Sequence, residues 1–319
     1  MKHKAVKLCL LMLALLLLPA APAQALTDGF PPLSAEGFLP ENEPEYIFID
    51  ADNGIWRYAS QTLRIEIKRH TQAKPKLRWL AAEVFVKPGS DSLRMVPVDA
   101  QNMDKVMDKY TEKPTDIAKN NRLVFSVNGD YFLYRVGRTV RVKSYAIGVV
   151  IRDGKILFDK QPKPDRDVYP PLDMLALYPD GDMRVFYANE VTAQELLSSG
   201  ARDVLTFGPA LIRDGVLRSD YKQWGTTMQP RVAIGMVEKG HYWVLVVEGR
   251  IRESLGTNAL GTGEIMRDLG CVTAFNLDGG WSSAMVFMGK QLNQLDNKGV
   301  RDNAREQNEI MGIGQTDAY

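Results

Sequence analysis

The chain has 319 residues, 40 Lys and Arg against 39 Asp and Glu, a formal net charge of +1, 45% hydrophobic residues, 2 cysteines and 3 histidines. A near-neutral balance gives no bulk attraction to nucleic acid or to acidic membranes. His70 and His241 fall in strand-like segments with no partner close in sequence and His3 stands near the start, so a His-rich zinc site and Cys–His catalysis are poor candidates.

In chain order, Lys2, Lys4 and Lys7 precede the apolar run Leu8 to Leu18, and small residues follow at Ala23 and Ala25. This reads as a secretory signal peptide over residues 1–25. A run of about 11 apolar residues is well short of the roughly 20 that a membrane span needs. The expectation is therefore an exported, extracytoplasmic protein starting near Leu26, with no transmembrane segment in its mature chain. Setting the three lysines aside leaves 37 basic residues against 39 acidic ones. Cys9 would leave with the signal peptide, so no intramolecular disulfide is expected, and Cys271 in "DLGCVTAFNL" reads as a small buried thiol rather than a nucleophile.

Residues 26–45 carry Gly29, Pro31, Pro32, Gly37, Pro40 and Pro44 and read as an extended leader. From Tyr46 the pattern alternates: "YIFID", "LRIEIKR" and "LRWLAAEVFV" predict the first antiparallel strands, an N-terminal β segment over 46–95. The remaining 96–319 form the larger domain, packed as one unit with 46–95. Val98 to Asn121 is helix-compatible. "RLVFSVNGDYF" then runs an apolar strand into Asn128-Gly129-Asp130. Asp-Gly at 153–154, 180–181 and 214–215 sits between alternating apolar runs, a hairpin signal because both residues tolerate positive φ. Thr192 with Glu195 makes a capping box for a helix that stops at Gly200. "RVAIGMVEKGHYWVLVVEGR" is a further hairpin, "GTGEIMRDLG" a short helix and "SSAMVFMG" a strand. Many hairpins and few helices predict an α+β fold, a largely antiparallel or mixed sheet with helices packed on it.

Four strand ends carry polar residues: "SVNGDYF", "TFGPALI", "VVEGRIRESLG" and "NLDGGWSS". Loops at the ends of rigid strands commonly gather a site from distant parts of a chain. The richest is "FNLDGGWSSAMVF", where Asn276, Asp278, Gly279, Gly280, Ser282 and Ser283 fall within eight residues. Successive glycines let backbone N–H groups approach an anion, and the two hydroxyls add donors, so this loop can hold a phosphate or sugar hydroxyls. It lacks the Gly-Lys-Ser/Thr of a Walker loop.

The blocks "VNGDYF", "FGPALIRDG", "QPRVAIGMV", "VVEGR" and "MRDLGCVTAFNLDGGWSSAMVF", in this order, resemble the phosphodiester glycosidases related to N-acetylglucosamine-1-phosphodiester alpha-N-acetylglucosaminidase. The resemblance covers about Leu123 to Gly314, and residues 46–95 resemble the N-terminal part of secreted bacterial members. It implies hydrolysis of the bond between a sugar and a phosphodiester, releasing the sugar and a phosphomonoester. By motif it implicates Asn128, Gly129 and Asp130, then Arg231, then Glu248 to Arg250, then Asn276, Asp278, Gly279, Gly280 and Ser282. The family often has a third glycine where this chain has Trp281; an indole there stacks on a sugar, narrows the pocket or packs under the loop.

Elementary chemistry fits this class. A phosphomonoester leaves readily once its charge is neutralised, which suits a guanidinium, Arg231 first and Arg250 second. Charge developing at the anomeric carbon calls for a carboxylate or a base that activates water, with Asp278, Asp130 and Glu248 as candidates and their roles unassigned. The sequence requires no cofactor; these carboxylates can hold a divalent cation, and no spacing demands one. The expected partner is a sugar-phosphate of a cell envelope or glycoconjugate. The alternatives are a non-catalytic glycan-binding or wall-binding module and a metal-dependent phosphodiesterase. The enzyme reading predicts that the strand-end loops converge in one cleft.

Overall fold

Each Asp-Gly pair turns the chain back on itself. Asp153 and Gly154 both take positive φ (47° and 71°), as do Asp214 and Gly215 (51° and 76°), the combination whose twist matches that of paired antiparallel strands. The computed structural model describes residues 29–99, 110–130, 148–160, 172–221 and 223–319. The signal-peptide expectation at 1–25, the start of the leader, much of the helix-compatible stretch and Tyr131–Phe132 of the "VNGDYF" block lie outside these residues.

In chain order the elements are β1 (Tyr46–Asp50), β2 (Ile55–Ala59), β3 (Leu63–Gln72), β4 (Leu77–Val86), β5 (Arg94–Pro97), α1 (Pro114–Asn120), β6 (Leu123–Asn128), β7 (Gly148–Arg152), β8 (Lys155–Lys160), β9 (Asp173–Leu177), β10 (Met183–Phe186) and α2 (Ala193–Ser198). Then come β11 (Asp203–Phe207), β12 (Ala210–Arg213), β13 (Val216–Leu217), α3 (Gln223–Thr226), β14 (Arg231–Glu238), β15 (His241–Val247), α4 (Ala259–Asp268), β16 (Thr273–Leu277), β17 (Met285–Phe287), β18 (Lys290–Gln291) and β19 (Glu309–Gln315). They form a nine-stranded sheet in the order β1-β2-β3-β4-β15-β14-β16-β12-β13, and two five-stranded sheets, β10-β9-β11-β7-β8 and β18-β17-β6-β19-β5. The pairings between these strands are antiparallel.

The architecture is strand-dominated, more so than the α+β expectation, because the helices are short and each caps one sheet. One face of every sheet meets a shared core that includes Ile65, Val84, Val244 and Phe275 from the large sheet, Phe125, Val127 and Met311 from one small sheet, and Leu175, Val185 and Leu205 from the other. Burying each such side chain contributes about 1.5–3 kcal/mol. The outer faces are covered by helices: α4 sets Ala259 and Met266 against Leu211, Ala233, Leu245 and Cys271, α1 sets Ile117 and Ala118 against Leu123, Val286 and Ile310, and α2 sets Ala193 and Leu196 against Val149, Ile151, Met174 and Ala176. The Thr192–Glu195 capping box forms as the sequence predicts.

Three expectations are corrected. The leader from Gly29 onward is packed: Phe38 and Leu39 are buried, the Leu39 amide donates to the Ser60 carbonyl at 2.9 Å, and Arg64 Nη1 donates to the Gly37 carbonyl at 3.1 Å. Two apolar side chains between the prolines outweigh the turn-forming composition. The strand predicted from "SSAMVFMG" starts only at Met285, because Gly280–Ser282 forms a 3₁₀ turn first. The helix of "GTGEIMRDLG" starts earlier, at Ala259, where the Asn258 side chain accepts from the Gly261 amide at 2.8 Å. β4 pairs with β15 from His241 to Val247, so the N-terminal strands continue the sheet that carries the site. Among the described residues no helix is long and apolar enough to cross a membrane.

Candidate active site

Strands of two sheets deliver the central loops. β6 ends at Asn128 and β16 at Leu277, so the residues that follow, Gly129-Asp130 and Asp278-Gly279, emerge side by side. The Asn128 carboxamide is fully buried; its Nδ2 donates to the carbonyls of Asp278 at 2.7 Å and Gly129 at 3.1 Å, and its Oδ1 accepts from the Ala284 amide at 3.1 Å. The Asp278 amide answers by donating to the Gly129 carbonyl at 3.2 Å.

This lacing places two carboxyl groups in one electrostatic neighbourhood. The Asp278 side chain is 14% exposed, and its Oδ1 accepts from the Gly279 amide at 2.8 Å, while Arg305 Nη1 lies 3.9 Å from Oδ2. Burial raises its pKa to about 6; the Ser282 hydroxyl, Arg305 and the Gly279 amide pull it down, and the charge of Asp130 pushes it up again. The Ser282 hydroxyl makes no hydrogen bond within geometric limits. A carboxyl group tuned toward neutrality by burial and by a second carboxyl is the usual arrangement of an acid–base pair.

Asp130 is itself buried and within electrostatic reach of Arg152 at the end of β7. Arg152 is fully buried and forms a bidentate pair with Glu309 of β19, with both N–O distances 2.6 Å, and it also donates to the carbonyls of Val204 and Ile151. Burial alone would lower the Arg152 pKa; Glu309 above all, then Asp130 and Asp203, more than reverse this and raise it. The Arg152–Glu309 pair joins the two small sheets, and its cation lies within electrostatic reach of Asp130.

The glycine loop, expected from its sequence to offer amides to an anion, bonds four of them within the protein. Its amides are spent internally: Gly279 donates to Asp278 Oδ1, Gly280 to the Pro230 carbonyl at 3.0 Å, Ser282 to the Gly279 carbonyl at 3.1 Å and Ser283 to the Gly280 carbonyl at 3.3 Å. The glycines serve close packing instead. A Cβ at Gly279 would lie 2.5 Å from the Pro230 carbonyl oxygen, and Gly280 takes φ +62° beside the Arg250 guanidinium. Within this loop, four buried side-chain atoms make no hydrogen bond: Asn276 Oδ1, Asp278 Oδ2, Ser282 Oγ and Ser283 Oγ.

The other predicted residues separate into struts and rim. Asn276 braces the loop before β12, its amide and Nδ2 donating to the Pro209 and Gly208 carbonyls at 3.0 Å each. Arg231 is buried, with Nε on the Thr257 carbonyl at 3.3 Å and Nη2 on the Thr227 carbonyl at 2.9 Å, so it ties two loops together. Glu248 is buried and ion-paired with Arg78, and its Oε1 accepts from the Gln294 amide at 2.6 Å. Burial raises its pKa, opposed mainly by Arg78. Its charge neighbours are Arg78 and Arg69 rather than the two aspartates, which sets it apart from the carboxyl pair. Arg250 is exposed, has φ +61°, and is held by both Nε and Nη2 on Gln229 Oε1. Trp281 is 43% exposed, so it does not pack under the loop.

The loops at 128–130, 208–209, 229–231, 248–250 and 278–280 thus lie near one another at one end of the large sheet. Sequence reasoning passed over Arg152, Glu309, Arg305 and Gln307. The last of these donates to the Ser282 carbonyl at 2.9 Å. A charged residue opening the otherwise apolar "EIMGIG" and another ending "GVVI" are the faint signals that pointed to the buried pair. Among the described residues no group of three or more His, Cys, Asp or Glu side chains is arranged to hold a metal ion.

The fold is an antiparallel β architecture with two acidic side chains, Asp130 and Asp278, on neighbouring strand-end loops. The phosphodiester glycosidase pattern matches residues 121–313, and the chain belongs to that family. It is 30% identical over 187 residues to an SPbeta prophage-derived uncharacterized protein, YomE, of Bacillus subtilis strain 168; this match covers 58% of the chain and 27% of that protein's length. In structure it is similar to the catalytic domain of zebrafish N-acetylglucosamine-1-phosphodiester alpha-N-acetylglucosaminidase auto-inhibited by its pro-peptide, with a TM-score of 0.59, 17% identity, and 80% of this chain and 83% of that one covered. It is also similar to a hypothetical protein from Synechocystis, with a TM-score of 0.52, 13% identity, and 85% and 64% covered. At these identities the structural likeness concerns the fold.

Proposed function

We propose that the chain is a hydrolase that cleaves the bond between the anomeric carbon of a sugar and the oxygen of a phosphodiester. The observation that carries this reading is the lacing of the Asp130 and Asp278 loops through the Asn128 carboxamide and the Asp278 amide, within the span that matches the family. Water attacks the anomeric carbon and gives its proton to ionised Asp278, while the C–O bond breaks and its electron pair leaves with the phosphate oxygen. The products are free sugar and a phosphomonoester. Asp130 faces the positive charge that develops on the sugar, with the buried Arg152 within its electrostatic reach. General base action of this kind contributes about 10²–10⁴-fold.

Arg250, exposed at Gly280, is the proposed contact for the departing phosphate, ahead of Arg231, whose Nε and Nη2 are on loop carbonyls. Asn128, Gly129, Asn276 and Gly279 shape the site, and the Ser282 and Ser283 hydroxyls, buried beside Asp278, support the loop that carries it. The sequence-based proposal of an exported protein acting on cell-envelope or glycoconjugate sugar-phosphates stands with this reading, as does action without a cofactor.

The test is incubation of the full chain with sugar-1-phosphodiesters of varied sugar in ¹⁸O-water, reading products by mass. Label in the sugar supports C–O cleavage. Label in the phosphate, with loss of activity on adding chelator, points instead to a metal-dependent phosphodiesterase. Binding without turnover points to a glycan-binding module.

A further inference from the structure

The block "FGPALIRDG" marks a crossing between sheets. β11 belongs to a five-stranded sheet and β12 to the large one, and only Gly208 and Pro209 separate them. Both of their carbonyls accept from Asn276, Gly208 from Nδ2 and Pro209 from the amide, at 3.0 Å each. Asn276 is buried and stands two residues before Asp278. The turn therefore grips the chain just ahead of Asp278, as the Asn128 carboxamide grips the Asp278 carbonyl itself, and the two grips come from different small sheets.

One carboxylate that the chemistry does not otherwise use holds this turn. Asp173, at the start of β9, is 3% exposed. Its Oδ2 accepts from the Ala210 amide and from Arg218 Nη1 at 2.9 Å each, and its Oδ1 accepts from the Ala188 amide at 3.3 Å. These donors come from the start of β12, from beyond β13 and from beyond β10, so a single side chain ties the small sheet to the large one where the chain crosses. Arg218 is fixed in turn: its Nε donates to Asp220 at 2.7 Å, and its guanidinium carbon lies 5.2 and 5.9 Å from the rings of Tyr187 and Tyr221. Gly208 takes φ +86°, and a Cβ there would stand 3.0 Å from the Asp173 Cβ, so turn and carboxylate are already in contact. Hydrogen bonds to an ionised acceptor are roughly twice as strong as neutral ones, which suits an acid to this junction.

We propose that Asp173 is a positioning residue for Asp278, acting through the Gly208–Pro209 turn and Asn276. It touches no reacting atom; it sets where β16 ends and hence where the Asp278 carboxyl stands. This rests on the reading of Asp278 as the base of a glycosidase. A misplacement of about 1 Å at a reacting group costs about 10²-fold in rate.

The experiment compares the unaltered chain with Asp173→Ala, with Asp173→Asn, whose remaining oxygen can take the Ala210 amide, and with Leu39→Ala as a destabilised control remote from the crossing, all well below their unfolding temperatures. On a hexose-1-phosphate diester, Asp173→Ala should lower kcat by about 30–100-fold with KM within about threefold, and Asp173→Asn should recover to within about fivefold of the unaltered chain. A kcat for Asp173→Ala equal to that of Leu39→Ala, or a loss confined to KM, overturns the proposal. A double-mutant cycle reads the same coupling without turnover. Asp278→Asn should raise the urea midpoint at pH 8; the gain should shrink in the Asp173→Ala background, where a released carboxylate reaches water, and stay whole in Leu39→Ala. Equal gains in the two backgrounds overturn the positioning role. Should Asp173→Ala not fold, Gly208→Ala, which drives a Cβ against Asp173, takes its place in both measurements with the same expectations. If no chain cleaves the diester, the hydrolase reading fails and the cycle alone decides the role of Asp173.

Discussion

Asn128 Nδ2 donates to the carbonyl oxygen of Asp278 at 2.7 Å, and the Asp278 amide donates to the carbonyl of Gly129 at 3.2 Å. One buried carboxamide therefore sets the spacing between the loop that carries Asp130 and the loop that carries Asp278, which leave different sheets. Asn128→Ala removes three side-chain hydrogen bonds from a dry site and leaves their partners without replacements. A loss of about 2–4 kcal/mol is expected, since each buried group left unpaired costs about 1–3 kcal/mol and the costs overlap. Urea unfolding midpoints check the stability, and turnover should fall with it even well below the unfolding temperature.

The Asp278 carboxyl is costly to ionise in the folded state. With a folded pKa of about 6 against the ordinary aspartate value of 3.8, the folded protein holds a proton there that the unfolded chain has released between these two pH values. Stability contributed by this group therefore declines as pH rises through that window, and the cost is complete above about pH 6. Asp278→Asn should abolish turnover and raise stability by up to about 3 kcal/mol at pH 7–8, with the gain vanishing near pH 4. Melting curves at both pH values decide this, and a neutral-pH destabilisation would contradict it. In the unaltered chain kcat/KM should rise with pH on a limb near 6.

Glu248 and Asp278 are both buried acids near one end of the same sheet, but their substitutions should separate. Glu248 pairs with Arg78 and holds the Gln294 amide, so Glu248→Gln breaks an ion pair while keeping an acceptor for that amide. A stability loss of about 3–5 kcal/mol is expected, with turnover within about tenfold of normal in the folded fraction. Equal loss of turnover in Glu248→Gln and Asp278→Asn would place Glu248 in the chemistry.

Arg152 and Glu309 form a buried bidentate pair with little exposure on either side chain. Removing one partner, as in Arg152→Met, leaves an uncompensated buried charge and should cost about 3–5 kcal/mol, whereas Arg152→Met with Glu309→Leu should recover much of that loss. A double-mutant cycle by denaturant unfolding measures the coupling. Arg152→Lys should not rescue the single variant, because an ammonium cannot reproduce the fork of the guanidinium.

Cys271 offers a simple check on the packing of α4. Burial pushes its thiol pKa up to about 12, and it lies among Ala233, Met266 and Ala274. Native protein should react with a disulfide reagent at pH 8 far more slowly than protein in denaturant, and labelling should track unfolding.

Local pattern was enough for much of the fold. Alternation in "LRIEIKR" and "LRWLAAEVFV" and positive-φ Asp-Gly pairs specify strands and hairpins because side-chain direction and turn geometry depend on adjacent residues. The Thr192–Glu195 cap is equally local. Residues 29–45 were harder to read, since the burial of Phe38 and Leu39 depends on the surface that β2 and β3 offer them.

The site divides the same way. The sequence by itself determined that Asp130, Asp278 and their glycines stand at strand ends, and which family's blocks they form, because these are properties of neighbouring residues. Only the tertiary structure decided that the Gly279 and Gly280 amides are bonded within the protein, that Arg231 holds loop carbonyls, that Glu248 pairs with Arg78, and that Arg152 pairs with Glu309. Hydrogen-bond partners and electrostatic neighbours are set by strands that pair across the chain, such as Val232 with Leu277 or Ile310 with Asn128, and no local stretch contains that information.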